Sequence, residues 1–236
     1  MIRLIVALLF VLVFFIVSII LYPVYLLIGK FNINTRHKIS LATIQWVFRV
    51  ILFICGVKVE VKGRENVPDG PVLYVANHRG IFDILVGYIS VDRLTGFISK
   101  KEVKKVPFLS WWMYFMNCLF LDRSSAKAGL KTILKAIELE KNGISIFIFP
   151  EGTRSKDGNV ADFKAGSFKI AEKAGVPVVP IAINHTEEIF ENHKPFVRGA
   201  HVTFEYCEPI MVNDLSKEEK KQIAEMARNQ IVSKLS

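Results

Sequence analysis

The 236-residue chain has few cysteines, fewer acids than bases and no internal repetition, and each shortage excludes something. Its three cysteines, Cys55, Cys118 and Cys207, are scattered and odd in number. They make neither a disulfide framework nor a metal cluster, so buried, reduced thiols are expected. His185, His193 and His201 lack neighbours of metal-site type, and no metal is expected. No G-x-S-x-G elbow occurs, which leaves out the strand-to-helix serine nucleophile. No repeat or low-complexity tract points to a solenoid or a disordered chain. Against 31 Lys and Arg stand only 22 Asp and Glu, a formal net charge of +9. The partners are therefore expected to be anionic: membrane headgroups, phosphorylated metabolites, nucleic acid or an acidic carrier protein.

The apolar content is high, at 51% of residues, and much of the excess lies in the first 56. Residues 4–28 are almost entirely apolar, interrupted by Ser18, Pro23 and two tyrosines. About 20 such residues cross a hydrocarbon core as a helix. The run is too long for a signal peptide, only Arg3 precedes it, and no small-residue cleavage site follows. A second apolar stretch, 39–55, carries Gln45 and Arg49, which suit the interface better than the bilayer centre. Between the two lie Lys30, Arg36, His37 and Lys38, and basic loops beside membrane helices tend to stay cytoplasmic. Either the pair dips into one leaflet as a hairpin, or the first helix spans and the second lies flat. The shallow hairpin is simpler if this loop and the rest of the chain are both cytoplasmic. A membrane surface thus explains the charge better than nucleic acid, which rests on charge alone and would predict salt-sensitive binding. Residues 1–56 read as a membrane anchor and 57–236 as one further domain.

Within 57–236, apolar runs at 72–76, 144–149 and 178–183 suit strands buried on both faces of a largely parallel sheet. Residues 57–61 alternate like a strand, and 201–206 make a further one. Helices are expected from a cap at Ser124 or Ser125 to about Lys141, over 165–174 and over 215–235 with Ser216 as cap. Asn142-Gly143 and Gly175 end the first two. The fold class is α/β: a mixed, mostly parallel sheet flanked by helices, preceded by the two-helix membrane segment.

Three strand ends carry chemistry. Asn77-His78-Arg79-Gly80-Ile81-Phe82-Asp83 follows one buried strand and precedes an apolar helix over 84–89. Five residues apart on one helix, His78 and Asp83 would be turned about 140° from each other. A loop bending at Gly80 brings them together. A histidine oriented by a carboxylate is a general-base unit, although taken alone such a pair is more often a loop histidine and a helix-capping aspartate. Phe149-Pro150-Glu151-Gly152-Thr153-Arg154-Ser155 leaves another strand. Gly152 allows a sharp turn, Thr153, Arg154 and Ser155 offer donors, and Arg presents a planar fork to phosphate. Glu151 is placed to orient Arg154 or to meet a ligand's polar head, and Asp157-Gly158-Asn159 reads as a plain turn. Arg123, after 119–121, makes a second phosphate contact or a surface pair with Asp122. Residues 107–120, rich in aromatics and methionine, form core, groove or bilayer contact. Lys127, Lys131 and Lys135 share one helix face, for docking an acidic carrier or for solvent.

In this order, these segments resemble the four blocks of the glycerolipid acyltransferase family, with the 1-acyl-sn-glycerol-3-phosphate acyltransferases the best fit. N-H-x-x-x-x-D stands at 77–83, G-x-x-F-[IL]-x-R at 117–123, F-P-E-G-T-R-S complete at 149–155, and V-P-x-x-P-x-x-[IV] at 176–183. The likeness spans roughly 57–183 and takes in Phe163-Lys164-x-Gly166 and Lys100-Lys101-Glu102. H-x-x-x-x-D alone is weak, and the four blocks together are specific. Asn117 departs from the family's Gly; if that position needs a positive φ, Asn is the next best tolerated. The resemblance implies direct transfer of an acyl chain to the sn-2 hydroxyl of lysophosphatidic acid, giving phosphatidic acid. His78 and Asp83 would be catalytic, and Arg123, Glu151, Gly152, Thr153, Arg154 and Lys101 would bind substrate. A thioester of coenzyme A or acyl carrier protein would be the co-substrate, with no cofactor and no metal. Glycerol 3-phosphate or another lysophospholipid as acceptor, or an inactive lipid-binding membrane protein, stay open beside it.

Overall fold

A computed structural model describes residues 1–155 and 159–235, so the Asp157-Gly158 part of the expected turn lies outside the described residues. The chain begins with an antiparallel helical hairpin, α1 (Ile2–Phe31) and α2 (Ile33–Cys55). Asn32 ends the first helix and caps the second, its side chain accepting the Thr35 N–H at 3.0 Å. Both helices are long and apolar enough to cross a membrane. At 1.5 Å per residue α1 measures about 45 Å, more than the hydrocarbon core requires. The second helix packs along the first through Tyr25–Thr43, 2.8 Å, and Phe10–Trp46, 5.9 Å between rings. It also begins six residues before the apolar stretch. The two helices thus pack against each other as a hairpin.

Seven strands form one sheet: β1 (Lys58–Lys62), β2 (Leu73–Ala76), β3 (Thr95–Lys100), β4 (Leu119–Leu121), β5 (Ser145–Ile148), β6 (Val178–Asn184) and β7 (His201–Tyr206). Their order is β1-β7-β6-β2-β5-β3-β4, and β6–β7 is the one antiparallel pairing in this sheet. Strands β6, β2, β5, β3 and β4 therefore end on the same edge. β2, β5 and β6 are buried along their whole length, as continuous apolar runs require. Strand β3 was not expected from its sequence.

Alternation of side chains across the sheet sorts the core into two layers. Tyr74 and Ala76 join a cluster with Val86 and Tyr88 of α3 (Phe82–Ser90), Trp112 and Phe115 of α4 (Leu109–Phe115), and Phe14 and Ile44 of the hairpin. Leu73 and Val75 face the other way, toward Ala136 of α5 (Ala126–Lys141), Ile170 of α6 (Lys169–Ala174) and Ile223 of α7 (Lys217–Ser233). Ser125 caps α5, and Ser216 caps α7 in a reciprocal capping box with Glu219. The hairpin thus shares an apolar cluster with one face of the sheet. Two of its polar interruptions are satisfied there: Gln45 donates to the Tyr88 and Val91 carbonyls, and Ser18 accepts from the Trp112 indole at 2.9 Å. Gln45 is therefore a tie to the end of α3.

Candidate active site

The loops that follow the strands ending together carry the polar residues of the site. After β2, the Asn77 side chain bonds both the N–H and the carbonyl of Ile183, each at 2.8 Å, and ties this end to β6. The chain then turns through Arg79 and Gly80 before α3 begins. That turn brings His78 and Asp83 together, with His78 Nδ1 to Asp83 Oδ2 at 2.7 Å. Asp83 is fully buried, and its oxygens also accept the Arg79 and Gly80 N–H groups, both at 2.8 Å, and the Thr186 hydroxyl from beyond β6. Four donors hold the carboxylate in place. With Asp83 accepting at Nδ1, the proton sits there and Nε2 presents its lone pair. Nε2 has no hydrogen-bond partner among the described residues, and His78 borders the cavity. The ring stacks on Phe149 at 4.1 Å and 19°.

The loop after β5 wraps the same histidine. Glu151 accepts the His78 N–H at 2.7 Å and the Ala161 N–H at 3.0 Å. Ser155 donates its N–H to the His78 carbonyl at 2.8 Å. Burial pushes the Glu151 carboxyl up from its ordinary range, and the two backbone N–H groups act against that push. Gly152 takes φ 80, a conformation that favours glycine. Arg123, after β4, donates to the Gly152 carbonyl at 2.6 Å. It does not pair with Asp122, which instead takes Lys101 at 2.9 Å. Arg154 pairs with Glu191 at 3.0 Å.

A cavity of about 570 Å³ opens beside His78. One part is cationic and polar, bordered by Arg123, Gly152, Thr153, Arg154 and Lys164. The remainder is mostly apolar, walled by Ile44 and Phe48 of α2, Tyr88 of α3, Trp112 and Met113 of α4, and Phe97 of β3, with Lys100 at the end of β3 a further cation on its border. This shape accepts an anion joined to a long apolar chain. Of the residues singled out from the sequence, His78, Arg123, Gly152, Thr153 and Arg154 border the cavity, and Asp83 stands behind His78. Glu151 is spent on backbone N–H groups and Lys101 on Asp122, and neither borders it. Segment 107–120 supplies cavity wall and core together: Trp112 is buried, while Tyr114 is half exposed. Lys127, Lys131 and Lys135 all face solvent.

Three residues escaped sequence reasoning. Lys164 borders the cavity, and its only linear signal is its place in Phe163-Lys164-x-Gly166. Thr186 and Glu191 reach the site from beyond β6 and carry no spacing signal. Asn117 does take a positive φ, 55, at the position where the family has Gly. Among the described residues no group of three His, Cys, Asp or Glu is placed to hold a metal.

Comparison with known proteins places this geometry. The acyltransferase family model matches residues 58–184. A 1-acyl-sn-glycerol-3-phosphate acyltransferase of Saccharomyces cerevisiae is 33% identical over 89% of this chain and 68% of its own length. One from Borreliella burgdorferi is 32% identical over 84% of this chain and 80% of its own. The crystal structure of the 1-acyl-sn-glycerophosphate acyltransferase PlsC from Thermotoga maritima superposes with a TM-score of 0.76 at 30% identity, covering 98% of this chain and 97% of that one.

Proposed function

The chain belongs to the acyltransferase family, among the 1-acyl-sn-glycerol-3-phosphate acyltransferases, and from that premise we propose that it acylates the sn-2 hydroxyl of 1-acyl-sn-glycerol 3-phosphate with His78 as general base. The observation that carries this reading is the His78–Asp83 pair, Nδ1 engaged at 2.7 Å and Nε2 turned to a cavity that is cationic in one part and mostly apolar in the rest. Nε2 takes the hydroxyl proton as the oxygen attacks the thioester carbonyl. The tetrahedral intermediate collapses, the C–S bond breaks, and the imidazolium returns its proton to the departing thiolate. Ester and free thiol are the products, so the chemistry is complete with His78, Asp83 and the two substrates. Asp83 fixes the tautomer and stabilises the imidazolium. Arg123, Arg154 and Lys164 hold the acceptor phosphate, with Gly152 and Thr153 lining its place. Glu151 acts through the His78 backbone rather than on substrate, and Lys101 acts through Asp122.

The donor is the thioester of coenzyme A or of an acyl carrier protein, both of which are anionic and match the basic chain. The apolar hairpin seats the enzyme in a membrane, with residues 57–236 at the cytoplasmic face, the side on which the basic residues between the two helices tend to stay. Purified protein in detergent, offered either donor with 1-acylglycerol 3-phosphate or glycerol 3-phosphate, tests the reading. Turnover confined to the lysophosphatidate acceptor is expected. Transfer to glycerol 3-phosphate alone moves the enzyme to the sn-1 step, and silence with every pairing rejects the assignment.

A further inference from the structure

Glu191 lies in the turn after β6, outside all four sequence blocks, yet it touches both halves of the site. Its Oε1 accepts the Arg154 guanidinium at 3.0 Å and the Ile81 N–H, also at 3.0 Å. Ile81 belongs to the turn that carries His78 and Asp83. The second oxygen, Oε2, is buried without a hydrogen bond and lies against Gly80. A Cβ built on Gly80 would meet it at 2.7 Å, so the bare glycine is what admits the carboxylate. The Glu191 side chain is 12% exposed and that of Arg154 49%. The glutamate is thus the fixed partner, and the arginine the long, mobile one that it orders.

We propose that Glu191 is a positioning residue that sets Arg154 at a fixed place relative to His78, so that an acceptor phosphate held by Arg154 presents its hydroxyl to the base. The inference rests on the proposed role of Arg154 as a phosphate ligand. One guanidinium N–H is spent on Glu191 and four remain for the ligand. Without the carboxylate, the half-exposed arginine samples many rotamers, and binding must order it again. The carboxylate also repels a phosphate. That repulsion is moderate, because the Ile81 N–H and the guanidinium itself already offset the charge of Glu191. Ordering therefore outweighs repulsion, and loss of the charge weakens acceptor binding.

Steady-state kinetics of Glu191→Gln, Arg154→Ala and the double variant test this, with 1-acylglycerol 3-phosphate and the phosphate-free 1-acylglycerol as acceptors. Gln still accepts the Ile81 N–H but loses the ionic hold on Arg154. Glu191→Gln is expected to raise the KM for the phosphorylated acceptor about tenfold, the scale of one charge-assisted hydrogen bond. The KM for the donor should hold, and kcat should fall by less than the acceptor KM rises, because the hydroxyl is presented less well to His78. The rise should vanish with the phosphate-free acceptor and in the Arg154→Ala background, where nothing remains to position. An unchanged or lowered acceptor KM overturns the proposal, as does an equal loss with both acceptors or an effect additive with Arg154→Ala. If Arg154→Ala itself leaves the acceptor KM unchanged, the phosphate role of Arg154 fails and the proposal goes with it. Should Glu191→Gln not fold, Glu191→Asp keeps the charge but withdraws it by one methylene, and the same selective rise is expected.

Discussion

His78 is a base only as long as Asp83 fixes its tautomer, and Asp83 is itself fully buried and fixed by four donors. Removing the ring should lower kcat by about a hundred- to ten-thousandfold, the usual share of general-base catalysis. His78→Ala, measured beside an unchanged circular dichroism spectrum, checks this, and undiminished turnover would sink the role. Asp83→Asn keeps the shape and, with its amide oxygen in the place of Oδ2, still accepts from His78 Nδ1 and the Arg79 and Gly80 N–H groups, but it loses the charge that stabilises the imidazolium. A kcat loss smaller than that of His78→Ala is expected. The cations separate by what they touch. Lys164 borders the cavity, whereas Lys101 is held by Asp122, whose carboxyl this lysine draws down to about 2. Lys164→Met should therefore raise the acceptor KM severalfold, and Lys101→Met should leave it nearly unchanged; the reverse order would reassign the phosphate site.

At the scale of the element, what could be read in the sequence depended on whether the signal was local. The blocks at 77–83 and 149–155 are contiguous, each lies at one strand end, and residue type there already states the chemistry. Thr186 and Glu191 belong to the site only because β6 lies beside β2 in the sheet, and no spacing along the chain records that adjacency. Strand β3 escaped because Thr-Gly-Phe-Ile-Ser-Lys is short, partly polar and broken by Gly96. That glycine is there for close approach: a Cβ on it would meet the Asn117 carbonyl at 2.3 Å. Helix α4 escaped for a related reason, since the residue that precedes it, Phe108, takes φ 60 and offers no side-chain cap, which no capping pattern announces.

One helix also carries a testable cost. Glu140, in the last turn of α5, is fully buried, and neither carboxylate oxygen makes a hydrogen bond. Burial pushes its carboxyl from 4.5 up to about 8. The folded state therefore holds this proton more tightly than the unfolded chain. The group's contribution is fully present below 4.5 and is lost as pH rises toward about 8, because only the unfolded chain ionises in that window. Glu140→Gln removes the ionisable proton at little change in shape. Its melting temperature should exceed the wild type's at pH 8 to 9 by a few degrees and match it near pH 5. A gain that is equal at both values would mean that Glu140 is not ionising at all.

For the whole molecule, the question is whether the hairpin only anchors the chain or also completes it. Ile44 and Phe48 of α2 wall the apolar part of the cavity, Phe14 and Tyr22 of α1 stack on Trp112 and Phe115 of α4, and Tyr25 meets Trp112 edge-on. Without the hairpin, Tyr88, Trp112 and Phe115 would face water. Each such exposure costs about 1.5–3 kcal/mol, and together they rival the stability of an ordinary domain. Deletion of residues 1–56 is therefore expected to yield aggregated, inactive protein rather than a soluble enzyme that has lost its anchor. The outer surface of α1 points the same way: Ile2, Leu8, Leu12 and Ile16 are each more than half exposed. If burial of that surface in acyl chains holds the enzyme, flotation with phospholipid vesicles should survive about 1 M salt, where the Debye length is about 3 Å. If the +9 charge holds it instead, the same salt should release it. A truncated chain that stays soluble and transfers acyl groups at the full rate would reduce the hairpin to a tether. Loss of folding together with salt-resistant flotation would show that the cavity wall and the membrane anchor are one structure.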